Sequence, residues 1–209
     1  MKKRWIALLL MASSIFLIYL TYMQWDISVA YSCRGLSRRV LDIAEIVTTA
    51  GDSKWYFILF VPAFLIFRFL LKNKNGSMKI LFLLVSIAAS GLVNALIKWI
   101  AGRNRPINLF NYEWFGFNFW EIAYELNSFP SGHAATVFSL ATALSILFPR
   151  VGVLAFIPAA AIAMSRVLIT SHFVSDVIAG AAVGAVCTLG VKYCFDYCNV
   201  KVTSGSEVS

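Results

Sequence analysis

Residues 80–100 read ILFLLVSIAASGLVNALIKWI, and the only charged residue among them is Lys98, close to the end. A helix of these 21 residues would rise about 31 Å at 1.5 Å per residue, which matches a hydrocarbon core about 30 Å thick. The stretch therefore predicts a transmembrane helix with a cation at one end.

The composition of the whole chain agrees with this prediction. Of the 209 residues, 60% are hydrophobic and 13% are charged, against about 45–50% and about 25% in a soluble domain. Such a composition excludes a disordered protein, a fibrous repeat and a small disulfide-stapled secreted domain. The net charge of +8 suits phospholipid headgroups in so apolar a chain, so we expect a bilayer and no nucleic acid as partner.

Six apolar segments are long enough to cross a bilayer, at residues 5–23, 55–71, 80–100, 132–148, 151–169 and 173–195. The predicted fold is therefore all-α, a polytopic bundle of six transmembrane helices that forms a single domain over residues 1–209. The charged start Met1-Lys2-Lys3-Arg4 is also typical of a signal peptide. The apolar run behind it exceeds the 7–15 residues of a signal peptide, which favours an uncut first span.

Six spans place both termini on the same side of the membrane. Ten lysines and arginines lie in the connections of that side: Lys2, Lys3, Arg4, Arg68, Lys72, Lys74, Lys79, Arg150, Lys192 and Lys201. Eight lie on the opposite side, of which four belong to the cluster described below; the other four are Arg34, Arg38, Arg39 and Lys54. The positive-inside rule then predicts cytoplasmic termini.

Two outer connections are long. Residues 24–54 have an amphipathic pattern that suits a helix lying on the membrane surface. Residues 101–131 are rich in aromatic residues, which favours an interfacial belt; a rim that accepts lipid tails is the alternative. Gly180 and Gly184 form a GxxxG pattern, typical of a close helix-packing face. The cysteines lack the spacing of a zinc site and are interpreted as small buried hydrophobic residues.

Ionisable residues near transmembrane segments are costly and therefore indicate function. They gather here at four segment ends: Lys98, Arg103 and Arg105; Ser131, Gly132 and His133; Ser165 and Arg166; and His172 and Asp176. Spans three and five leave the membrane where spans four and six enter it, so all four groups are predicted at the outer face. Both histidines of the chain belong to this cluster.

The residue types of the cluster indicate a phosphate site. Converging cations repel one another unless an anion joins them, and guanidinium groups suit phosphate oxygens. Gly132 opens a helix whose free N–H groups would add an anion cradle. His172 and Asp176 are four residues apart, so they share a helix face, and Asp176 would accept the Nδ1 proton and leave Nε2 free as a nucleophile.

His133 would remain for proton transfer. Each histidine taken alone would more often be a hydrogen-bonded residue at a helix end, and the cluster reverses that preference. A metal mechanism is disfavoured because it needs several carboxylates and only Asp176 is placed at the site. Glu113, Glu121 and Glu125 are assigned to a solvated loop.

Three stretches resemble the signatures of the type 2 phosphatidic acid phosphatase (PAP2) superfamily. The segment 98–106 matches K-x6-R-P, residues 130–133 match P-S-G-H, and residues 165–176 match S-R-x5-H-x3-D. The resemblance implies a nucleophilic His172 oriented by Asp176, and a His133 that protonates the leaving oxygen and then activates water. It implies phosphate binding by the remaining signature residues, Lys98, Arg105, Ser131, Gly132 and Arg166. Arg103 lies outside the signature and is treated as auxiliary.

The resemblance further implies a bacterial enzyme of the cytoplasmic membrane that needs no metal and no organic cofactor. The expected function is hydrolysis of a lipid phosphate or diphosphate at the outer face, through a phosphohistidine. Undecaprenyl diphosphate, phosphatidylglycerophosphate, phosphatidic acid and lipid A phosphates are all candidate substrates. A lipid-to-lipid phosphotransferase with the same intermediate is the alternative, and a non-catalytic anion or lipid transporter is a second one. The sequence gives no indication of the oligomeric state.

Overall fold

The computed structural model describes residues 2–121, 123–200 and 202. The α-helices in this part of the chain are α1 (Lys2–Gln24), α2 (Asp26–Arg34), α3 (Arg38–Thr49), α4 (Ser53–Leu65), α5 (Lys74–Ala101), α6 (Pro106–Tyr112), α7 (Gly132–Leu147), α8 (Phe156–Leu168) and α9 (Val174–Tyr197). A π turn extends α4 over Ile66–Leu70, and 3-10 turns cover Tyr124–Leu126 and Gly152–Ala155. No β-strand occurs in the described ranges, which confirms the all-α prediction.

Each predicted apolar segment falls largely on helix in the structure. Among the described residues, three stretches are long and apolar enough to cross a membrane: Arg38–Leu70, Lys74–Ala101 and Val174–Tyr197. Gly132–Leu147 and Gly152–Leu168 are shorter apolar helices. The chain is thus an integral membrane protein, whereas the count of six spans stays a prediction.

A glycine ends α5 and directs the chain back over the membrane face. Gly102 has a φ of 54° and donates its N–H to the carbonyl of Lys98 at 3.0 Å. A side chain here would come within 2.8 Å of the backbone nitrogen of Phe119, and the left-handed conformation itself disfavours one. This turn places Arg103 and Arg105 directly beyond the helix that carries Lys98.

The centre of the bundle is the contact of α7 with α9, and α5 packs against both helices. A Cβ atom on Gly180 would meet the carbonyl oxygen of Ser131, and one on Gly184 would meet that of Ala135. The GxxxG pattern is therefore a close packing face, as predicted. Small residues let the two backbones touch, so the start of α7 lies directly against the start of α9.

The connection 24–54 is largely helical. Its α3 buries Ala44 and Thr48 and packs against α8, while Ile43 and Ile46 are exposed. The predicted amphipathic helix is present and its buried side covers α8, whereas its position on the membrane surface stays a prediction.

The interpretation of the cysteines is correct for Cys33, which is buried. It is wrong for Cys194 and Cys198, which are exposed near the end of α9. Cys194 lies on α9 and Cys198 directly follows it, and a thiol is apolar enough to be exposed at this end of the helix.

We expect Gly184→Ala to lower the midpoint of thermal unfolding in detergent, because the added methyl group would force α9 away from α7. Overpacking of this kind costs about 1–3 kcal/mol. Gly190→Ala is the matched control: it lies on the same helix with nothing within 4 Å of its Cβ position. There, alanine should be neutral or slightly stabilising, and equal effects of the two substitutions would contradict the close packing.

Candidate active site

Lys98 and Arg105 meet at one backbone carbonyl. The oxygen of Asn127 accepts a hydrogen bond from Lys98 Nζ at 2.6 Å and from Arg105 Nη2 at 3.3 Å. Arg105 also donates from Nε to the carbonyl of Tyr124 at 2.9 Å and from Nη1 to that of Ser171 at 3.2 Å. These bonds tie the first signature to the loop before the second one and to the residue that precedes His172.

Arg166 and His172 are joined through the backbone. The carbonyl of Arg166 accepts the N–H groups of Ser171 at 3.0 Å and of His172 at 3.2 Å. Its guanidinium donates from Nη1 to the hydroxyl of Thr48 at 3.0 Å, so α3 positions this cation from outside the signatures. The structure thereby brings the predicted cations and His172 to one end of the bundle, as the order of the segments indicated.

His172 lies just before α9 and not on it, so the predicted shared helix face does not form; its side chain lies near that of Asp176 without direct contact. His172 Nδ1 is 3.6 Å from Asp176 Oδ2, too long for the predicted hydrogen bond. Ser128 lies between them, with Oγ 3.4 Å from Nδ1 and donating to Asp176 Oδ2 at 2.5 Å. Because the Ser128 proton goes to the carboxylate, a lone pair of its oxygen faces Nδ1, which favours a proton on Nδ1 and a bare Nε2.

The backbone also holds Asp176. Its Oδ2 accepts the N–H of Phe173 at 2.8 Å, and its carbonyl oxygen accepts the N–H of Ser131 at 2.9 Å. The first bond caps the start of α9, and the second joins α9 to the start of α7. The position of this carboxylate is thus fixed by both helices.

The imidazole of His172 is nearly inaccessible, at 4% exposure. Burial lowers its pKa to about 3, an effect that the nearby Asp176 carboxylate opposes and does not overcome. The ring is therefore neutral near pH 7, which is the state in which a histidine acts as a nucleophile.

Four buried polar atoms at this end of the bundle have no hydrogen-bond partner among the described residues: Asn94 Oδ1, Arg103 Nε, Ser131 Oγ and Arg166 Nε. Arg103 Nε lies inside the aromatic surroundings of its guanidinium, whereas Ser131 and Arg166 belong to the predicted phosphate-binding residues and can donate to an anion; buried donors without partners are rare in proteins. Ser131 precedes the first turn of α7, where the free N–H groups and the helix dipole also favour an anion. This end of the bundle is suited to an oxygen-rich anion such as phosphate.

His133 lies on the first turn of α7 and is half-buried. A Cβ atom on Gly51 would come within 2.8 Å of its Cδ2 and within 2.6 Å of Ile162 Cγ2. The turn between α3 and α4 thus packs directly on the imidazole. The charges of Arg166, Arg105 and Lys98 act on it, so His133 shares the site with these cations.

The structure places Arg103 apart from the cations that are predicted to bind phosphate. Its side chain is fully buried and forms ion pairs with Asp26, at 2.6 Å from Nη2, and with Asp176 through Nη1. It also donates to Ser175 Oγ at 2.7 Å. Arg103 acts as an auxiliary residue through these contacts, because a guanidinium already shared by two carboxylates is not available to a phosphate.

The aromatic loop separates into two groups. The rings of Phe115, Phe117 and Phe129 lie 5.3–5.9 Å from the Arg103 guanidinium, and those of Tyr22 and Phe173 complete the shell at 4.9 and 4.7 Å. A second group is exposed: Tyr112, Trp114, Phe119, Trp120 and Tyr124. The interfacial belt stays a prediction for the exposed group, whereas the first group surrounds a buried charge.

Sequence reasoning missed Asp26, Ser128 and Thr48. Asp26 follows directly on the first apolar segment, and the rule that such charges are functional applies to it as well. Ser128 lies two residues before Pro130, and its hydroxyl carried no separate signal. Glu113, Glu121 and Glu125 are exposed, in agreement with a solvated loop. The described residues contain no group of three or more histidine, cysteine or acidic side chains placed to hold a metal.

Comparisons with known proteins identify similar sequences. The model of the PAP2 superfamily matches residues 79–199. A lipid A 1-phosphatase of Rhizobium johnstonii is 34% identical over 174 residues, covering 77% of this chain and 70% of the relative. The lipid A 1-phosphatase of Rhizobium etli is 35% identical over 164 residues, covering 72% and 70%.

Two solved structures have a similar fold. A transmembrane PAP2-type phosphatidylglycerolphosphate phosphatase from Bacillus subtilis superposes with a TM-score of 0.64 at 20% identity, covering 91% of this chain and 96% of the other. Aquifex aeolicus LpxE superposes with a TM-score of 0.59 at 20% identity, covering 80% and 94%. At this identity the likeness shows the fold alone.

The lowered pKa of His172 can be measured directly, because the chain has only two histidines. We expect ¹⁵N NMR of histidine-labelled protein to show a His172 ring that stays neutral, with its proton on Nδ1, from pH 8 down to pH 5. A pKa of about 3 keeps the ring neutral at every pH above it, whereas an unperturbed histidine titrates near 6.5. His133→Gln assigns the signals, and a His172 ring that protonates near pH 6.5 would contradict its burial.

Proposed function

The chain belongs to the PAP2 superfamily and is an integral membrane phosphatase; from this premise we propose that it hydrolyses a phosphate of lipid A at the outer face of the membrane, through a phosphohistidine on His172. The observation that carries the proposal is the orientation of the His172 ring, whose Nδ1 faces Ser128 and Asp176. Hydrogen bonds to backbone carbonyls hold Lys98 and Arg105 near this ring, and the carbonyl of Arg166 accepts the N–H of His172. Lipid A is favoured over the other lipid phosphates because both Rhizobium relatives are lipid A 1-phosphatases.

In the first step, Nε2 of His172 forms a bond to phosphorus while the bond from phosphorus to the lipid oxygen breaks. His133, protonated beside the bound phosphate dianion, gives its proton to that oxygen and becomes neutral, so the lipid leaves as a neutral hydroxyl. Lys98, Arg105 and Arg166 stabilise the charge on the three equatorial oxygens, together with Ser131 and the N–H of Gly132. The Nδ1 proton stays toward Ser128 and Asp176, which stabilise the cationic phosphohistidine.

In the second step, neutral His133 takes a proton from water, whose oxygen attacks phosphorus opposite His172. The bond from phosphorus to Nε2 breaks, and inorganic phosphate leaves. A lipid hydroxyl in place of water would give the phosphotransferase, and the relatives support hydrolysis because they are phosphatases.

The proposed placement of the protein follows from the same segments. The cations of the site lie at one end of the bundle, and the positive-inside rule assigns that end to the outer face, with both termini in the cytoplasm of a bacterial cell. A lipid phosphate would then enter sideways from the outer leaflet, and the single domain over residues 1–209 would carry the whole reaction.

We expect the purified protein to release inorganic phosphate from lipid A faster than from phosphatidic acid, phosphatidylglycerophosphate or undecaprenyl diphosphate, with and without chelator. His172→Gln should lower the rate by about 1,000-fold or more, because it removes the nucleophile. Labelled phosphate on a second lipid would identify the transferase instead. A fully active His172→Gln protein would contradict the assigned nucleophile.

We further expect Gly51→Ala to lower kcat for phosphate release by about 10-fold or more, because the added methyl group displaces the His133 ring. Displacements of about 1 Å in a catalytic group can cost about 100-fold. Gly35→Ala is the control, since its Cβ position in the same outer connection meets only the carbonyl of Ser32 at 3.8 Å. Unchanged kcat in Gly51→Ala, at unchanged thermal stability, would contradict the role of this contact.

A further inference from the structure

Asp26 is a buried carboxylate that no signature includes. Its side chain has no exposed surface, and its two oxygens accept three hydrogen bonds. Oδ2 accepts from Arg103 Nη2 at 2.6 Å and from Ser175 Oγ at 2.5 Å, and Oδ1 accepts from the N–H of Ser175 at 2.9 Å. Asp26 therefore binds both Arg103 and the first turn of α9.

Arg103 lies between two carboxylates, with Nη2 on Asp26 and Nη1 on Asp176. The aromatic shell surrounds the guanidinium, so its orientation depends on these two ion pairs and on Ser175. Without Asp26, Nη2 would be a buried donor without a partner, which is costly enough to make the guanidinium turn. Turning Arg103 would move the group that holds Asp176 Oδ1.

The charges of this network also favour the chemistry at His172. Two carboxylates and one guanidinium leave a net charge of −1. Of the two carboxylates, that of Asp176 is nearer to His172, because only the Ser128 hydroxyl lies between Asp176 and the imidazole. Neutralising Asp26 would leave Arg103 to compensate Asp176 completely. The carboxylate would then attract the Nδ1 proton less, and Nε2 would become a weaker nucleophile.

We infer that Asp26 is a positioning residue of the active site, acting through Arg103 and the start of α9 to hold Asp176 beside His172. The inference rests on the proposed function for its kinetic part. Asp26 belongs to α2, outside the family match at residues 79–199. The N-terminal part of the chain thus supplies a carboxylate to a site whose signatures begin only at Lys98.

The test compares Asp26→Asn with Asp42→Asn. Asp42 belongs to the same outer connection, is exposed and pairs only with Arg38 on its own helix. For Asp26→Asn we expect kcat for phosphate release to fall about 10-fold or more, with KM for the lipid and inhibition by inorganic phosphate changed less than twofold. Asp42→Asn should match the wild type. A loss confined to KM, or no loss in folded protein, would overturn the inference.

A second measurement needs no turnover. In ¹⁵N-histidine NMR, Asp26→Asn should shift the ring signals of His172 and leave those of His133 in place, because only His172 contacts the Ser128–Asp176 pair. Ser175→Ala introduces no buried charge and should shift the His172 signals in the same direction by less. The Ser175→Ala variant replaces Asp26→Asn in this measurement if Asp26→Asn does not fold. Unchanged His172 signals in the folded variants would overturn the inference.

Coupling to Arg103 separates positioning from a general structural effect. If Asp26 acts through Arg103, the double variant Asp26→Asn/Arg103→Gln should lose no more activity than Arg103→Gln alone. Losses that multiply would overturn the inference. A wild-type protein that releases phosphate from no lipid would end the proposed function, and the His172 signals would still decide the role of Asp26.

Discussion

A guanidinium buried between two carboxylates is the interaction on which the site depends. In a medium of low polarity, each of the three charges is tolerated only because the others are present. Arg103 therefore fixes where Asp26 and Asp176 can lie, and with them the starts of α2 and α9. The aromatic shell keeps water from this network, which strengthens the ion pairs and makes their geometry demanding.

Close helix packing carries this geometry to the rest of the site. Gly180 and Gly184 let α9 touch α7, and the carbonyl of Asp176 binds the N–H of Ser131 at the contact. The residue that orients His172 and the segment that begins with Ser131 thus form one rigid unit. Two cations join this unit through backbone carbonyls. Arg105 donates to the carbonyls of Asn127 and Ser171, and Lys98 donates to that of Asn127.

Much of this arrangement could be predicted from the sequence, because it follows from order and spacing. Alternating spans bring Lys98, Arg105, Arg166 and His172 to the same end whatever the details of packing. The partner of Arg103 could not be predicted in this way. Asp26 lies 77 residues away, and a basic residue near a membrane surface looks the same whether it faces a phosphate or a buried carboxylate.

The finer errors have similar causes. A spacing of four residues predicts His172 and Asp176 on one helix face, but His172 lies before α9, and Ser128 lies between the two side chains. The predicted segments 132–148 and 151–169 give shorter helices because Pro149 interrupts the chain and Gly152–Ala155 forms a 3-10 turn. The relation of helix length to bilayer thickness therefore predicts the position of these helices better than it predicts the number of spans.

The most direct measurement is the site of phosphorylation in the covalent intermediate. Protein mixed with ³²P-labelled lipid A and quenched within milliseconds at alkaline pH, where phosphohistidine survives, can be digested and the labelled peptide identified. We expect phosphorus on Nε2 of His172, the nitrogen left bare when Nδ1 faces Ser128 and Asp176. Phosphorus on Nδ1, on His133 or on no protein group during steady turnover would contradict the fixed orientation of this ring.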